Sequence, residues 1–69
     1  MSENITRMAN QIAAFFATQP GTDQAERLAA HLNDFWAPAM RADLSARLRD
    51  TPEAFAPLVG EAARHLRLP

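Results

Sequence analysis

Ala25-Glu26-Arg27-Leu28-Ala29-Ala30-His31-Leu32-Asn33-Asp34-Phe35-Trp36-Ala37-Pro38-Ala39-Met40-Arg41 is the stretch that decides the fold. Ala25, Leu28, Ala29, Leu32, Phe35 and Trp36 recur at the three- and four-residue steps that line one face of an α-helix. Asp23 and Glu26 have the spacing of a capping box, so the helix is expected to open there. A proline disfavours helical geometry in the residue before it but suits the first turn of a helix. Ala37-Pro38 therefore reads as a break, with Pro38 opening the next helix.

Towards the N-terminus, Ile5, Met8, Ala9, Ile12, Phe15 and Phe16 form a second apolar face, with Arg7, Asn10 and Gln11 outside it. Pro20-Gly21 ends that helix in a turn. Towards the C-terminus, Met40, Leu44 and Leu48 make a narrow row flanked by Arg41 and Arg47. Thr51-Pro52-Glu53 starts another helical turn and Pro57 restarts it. Leu58, Val59, Ala62 and Leu66 give a short last helix with Gly60 inside. No stretch alternates with period two, so strands are not expected. The fold class is all-α: a single domain over residues 1–69, built as a small bundle of three to four short helices.

Composition makes the core look slender. Fifteen of the hydrophobic residues are alanine, and no cysteine is present to form a disulfide or a zinc–thiolate site. Large side chains concentrate on the first two helices and fade towards the fourth, which leaves one face in want of cover. Seven basic and eight acidic residues give a net charge of −1, which argues against a nucleic-acid partner held by phosphate neutralisation. No apolar run is long enough to span a membrane, and Met1-Ser2-Glu3-Asn4 lacks the basic and apolar regions of a signal peptide. The expected location is cytoplasmic. Arginine without lysine, together with the alanine load, suits a GC-rich bacterial genome.

The inventory for chemistry is poor. Without Cys, Lys or Tyr, and with only His31 and His65, no nucleophile, acid–base pair or phosphate-cradling loop stands out. His31 with Asp34, and Glu61 with His65, have helical ligand spacing, but nothing supplies a third or fourth donor. No catalytic, cofactor-binding or metal residue is assigned. The aromatic residues say more. Phe15, Phe16, Phe35 and Trp36 read first as core, yet the second stripe is wide for so small a bundle. Tryptophan, methionine and arginine are enriched at interface centres, and Trp36, Met40 and Arg41 cluster around Pro38. His31, Phe35, Trp36, Pro38, Met40 and Arg41 are the expected partner-binding residues.

Two strings carry a family resemblance. Met8-Ala9-Asn10-Gln11-Ile12-Ala13 with Phe15-Phe16 resembles the opening of the delta subunit of NAD-dependent formate dehydrogenase. The run Leu28-Ala29, His31-Leu32, Phe35-Trp36, Pro38, Met40-Arg41 and Leu44 is similar to that family's central signature. Pro57-Leu58-Val59, Ala62 and Leu66 resemble its tail, so the likeness runs from Met8 to Leu66. The family often has an acidic residue where Ala37 stands and a basic one where Ala39 stands. The resemblance implies a cofactor-free accessory subunit of a cytoplasmic molybdenum- or tungsten-dependent complex. Its large alpha subunit would carry the pterin-bound metal and iron–sulfur clusters, and beta and gamma subunits would pass electrons to NAD. The delta subunit would support assembly or stability. Other readings of the residues are a transient chaperone for metal-cofactor loading, a small helical DNA-binding regulator, and a homodimer in isolation.

Overall fold

Four helices follow one another with short connections: α1 (Ser2–Ala17), α2 (Gln24–Phe35), α3 (Pro38–Asp50) and α4 (Pro57–Ala62). Single 3-10 turns at Pro52–Ala54 and Ala63–His65 precede and follow α4. The structure is a computed structural model describing residues 2–67, and no strand occurs among them. The all-α expectation and the proline-marked breaks match this architecture. Pro38 and Pro57 each occupy the first turn of a helix, after an extended Ala37 and Ala56.

The first loop shows how local chemistry sets the path. Gly21 takes φ 106°, a backbone region that a side chain makes costly, and thereby turns the chain after Pro20. The Gln24 side-chain amide then donates to the carbonyls of Gln19 (3.0 Å) and Gly21 (2.7 Å), closing the loop from the start of α2. The expected capping box does not form. Asp23 sits at φ −110°, ψ 25° rather than in the extended conformation of such caps, and its side chain makes no cap hydrogen bond. The carboxylate instead faces Arg27 at 3.3 Å, an exposed pair of small energetic weight.

All four helices contribute to one core. Leu28, Leu32, Leu44 and Val59 are its largest fully buried side chains, joined by Ile5, Trp36 and Phe55. Ala9, Ala13, Ala29 and Ala62 are each about 1% exposed, so alanine here lets helices approach closely rather than thinning the core. The expected fading of large side chains towards the end of the chain is corrected accordingly: Leu44, Phe55 and Val59 lie in the second half. Phe55 escaped the helical reading because it sits in extended backbone between a 3-10 turn and α4. The radius of gyration, 10.8 Å, meets the roughly 11 Å expected of a compact chain this long.

The apolar face of α1 is narrower than its stripe. Ile5, Ala9 and Ala13 are buried, with Ile12 and Phe16 packed beside them. Met8 and Phe15 are 37% and 59% exposed, which corrects their assignment to the core. At 100° per residue they lie roughly 90° from the centre of the buried face. On α2, Phe35 likewise falls off the edge and is 75% exposed.

Candidate functional site

The α2–α3 corner is held from within. The Trp36 ring is buried, and the next two residues turn the chain into Pro38. Arg41, one turn into α3, reaches back over the end of α2. Its Nη1 donates to the carbonyls of Asn33 (3.3 Å) and Trp36, and its Nε donates to that of Arg67 (2.7 Å). A helix ends with carbonyls that lack partners and a partial negative charge; a guanidinium there answers both. Met40 is half-buried against the core and Pro38 is exposed. Of the six residues expected to bind a partner, Trp36 and Arg41 are thus engaged inside the chain. His31, Phe35 and Pro38 present surface.

Two asparagines, neither singled out in the sequence as a site, act as clamps. The Asn10 amide donates to the Ala54 carbonyl (3.0 Å) and accepts from the Ala56 N–H (2.8 Å). The Asn33 amide donates to the His65 carbonyl (3.1 Å) and accepts from the Arg67 N–H (2.8 Å). Each side chain bonds a carbonyl and the N–H two residues on, as a neighbouring strand does with extended backbone. Asn10 so fixes the approach to α4, and Asn33 fixes the segment beyond it. The sequence signal was slight: a polar residue beside a buried one, Ala9 or Leu32, on a helix face otherwise read as solvated.

The exposed aromatic residues gather on the other side of α2. Phe15 meets Phe16 edge-on with ring centroids 5.3 Å apart; Phe16 lies 5.9 Å from the His31 ring, and His31 lies 4.9 Å from Phe35. This row crosses from α1 to α2 and ends in two rings that are mostly exposed. Gln11, Ile12, Phe15, Phe16 and His31 line an open depression of about 310 Å³ beside it. The walls are aromatic and aliphatic, with the Gln11 amide and His31 imidazole as polar groups. Exposed aromatic area grouped in this way marks interaction surfaces more often than scattered apolar residues do.

Neither His31 with Asp34 nor Glu61 with His65 belongs to a group of three or more ligand-type side chains suited to a metal, among the described residues. No helix among them is long and apolar enough to cross a membrane. Fold and surface together define a small α-helical module with a closed corner and an outward-facing aromatic shelf. The chain belongs to the NADH-dependent formate dehydrogenase delta subunit family, FdsD, whose model matches residues 4–63. That range takes in both strings on which the resemblance rested, from Met8 to Phe16 and from Leu28 to Leu44. Comparison with curated proteins gives no match.

Proposed function

We propose that this chain is a non-catalytic subunit that docks on the large, metal-bearing chain of a cytoplasmic formate dehydrogenase and supports assembly of the active complex. Family membership supplies the complex. The observation that carries docking is the aromatic shelf, on which Phe15 and Phe35 keep 59% and 75% of their surface outside the core. His31 links the rings of the two helices, lying 5.9 Å from Phe16 of α1 and 4.9 Å from Phe35 of its own helix, and Pro38 is exposed at the start of α3. Trp36, Met40 and Arg41 serve the interface indirectly by fixing the corner from which Phe35 projects. Aromatic residues at the centre of an interface commonly dominate its binding energy.

The double variant Phe15→Ser/Phe35→Ser tests this reading. Both rings are largely solvated, so the isolated chain should keep its stability to within about 0.5 kcal/mol per site. Co-purification with the large subunit should fall by about tenfold or more, the effect of losing one hot-spot side chain. A folded double variant that co-purifies as fully as the parent chain contradicts the docking surface.

A further inference from the structure

The aromatic row contains one ionisable side chain, and its position decides what docking does to it. The His31 ring lies 5.9 Å from Phe16 and 4.9 Å from Phe35, and Phe15 meets Phe16 edge-on. A partner that covers both outer rings, Phe15 and Phe35, therefore also covers the imidazole that links them. His31 is already part-buried, and it lines the depression of about 310 Å³ together with Gln11, Ile12, Phe15 and Phe16.

The fold sets no opposite charge against this ring. From α1 it is faced by Gln11, Ile12, Phe15 and Phe16, none of which ionises. On α2 the charged residues one turn away are Arg27 and Asp34. Arg27 pairs with Asp23 at 3.3 Å, and Asp34 is exposed and enters no ion pair among the described residues. In water the uncharged surroundings matter little, because a protonated imidazole stays hydrated on its open side. Under an apolar cover that hydration is lost, and two phenyl rings replace only part of it.

We propose that the large subunit meets this depression with an apolar, uncharged side chain, so that only a chain with neutral His31 docks. A protonated chain first releases its proton to solvent. The free chain then holds the proton and the complex does not, so acid favours the free chain. Association weakens as pH falls through the range in which imidazoles titrate, by up to about tenfold per pH unit for one proton. This rests on the docking reading above and adds the chemistry of the partner's surface and a pH dependence to it.

His31→Phe isolates the effect, because it keeps a ring in the row and removes the titrating group. His31→Gln removes the charge and the ring together. Each full chain is titrated against the formate dehydrogenase complex prepared without it, at pH 7.5 and 5.5. Far-UV circular dichroism at both values checks that the chains are folded. Comparing the parent chain with the variants cancels titrations elsewhere on the complex. Between the two pH values the parent chain should lose about tenfold more affinity than either variant. At pH 7.5 His31→Phe should bind at least as tightly as the parent, while His31→Gln binds less tightly but with the same flat profile. Equal pH profiles in parent and variants mean that no proton is released at His31. A parent chain that binds more tightly in acid means that a partner carboxylate meets the imidazole. Either result overturns this inference and leaves docking standing. If Phe15→Ser/Phe35→Ser co-purifies as fully as the parent chain, the docking surface fails and this inference with it.

Discussion

Trp36 and Phe35 are neighbours in sequence and opposites in the fold. Trp36 is 6% exposed and closes the α2–α3 corner; Phe35 is 75% exposed and ends the α1–α2 shelf. The corner satisfies itself. Its ring is in the core, its helix end is capped by Arg41, and the same guanidinium also donates to the Arg67 carbonyl. The shelf does not: its rings touch each other in a row, and the outer two face solvent. The difference teaches that an interface-like composition, here tryptophan, methionine and arginine around a proline, can serve the inside of a small protein. What the fold leaves uncovered is a better guide to docking than which residue types gather.

The contrast can be broken most severely at the corner. Trp36→Ala removes a buried ring and should cost about 3–5 kcal/mol, against a total of roughly 3–10 kcal/mol for a domain of this length. Chemical denaturation should therefore find the variant largely unfolded or close to it. A loss below about 1 kcal/mol would mean that the ring is not core. Arg41→Ala should come next. It strips the α2 terminus of its cation and exchanges charged hydrogen bonds to partly exposed carbonyls for water, for about 1–2 kcal/mol. Urea unfolding checks this figure, and a neutral result would return Arg41 to the list of partner-facing residues. Smallest is the effect of the Phe15 and Phe35 substitutions on the isolated chain, where the same stability measurement should barely move.

Much of the fold was legible because prolines cut the chain into segments and each segment kept a helical apolar step. Pro38 and Pro57 announced the starts of α3 and α4, and Leu28, Ala29, Leu32 and Trp36 announced the buried face of α2. The inward limit of each stripe was less legible. Met8, Phe15 and Phe35 satisfy the spacing of a helix face, but the face in contact is set by how three neighbours crowd a helix, which spacing does not contain. Phe55 was missed because extended backbone between two turns has no period. The clamps of Asn10 and Asn33 were missed because they bind backbone more than thirty residues away. An expected capping box at Asp23 gave way to a loop closed by Gln24, one residue later. The sequence led to the right family; of the six residues expected to bind a partner, Trp36 is buried in the core and Arg41 is bonded to main-chain carbonyls of the chain itself, contacts that helical spacing does not contain.

Hydroxyl-radical footprinting of the chain, alone and within the formate dehydrogenase complex, tests the central contrast most directly. Phe15 and Phe35 should be oxidised readily in the isolated chain and become protected on assembly, while Trp36 stays protected in both. Phe15 and Phe35 equally reactive in the complex and in isolation would contradict the account.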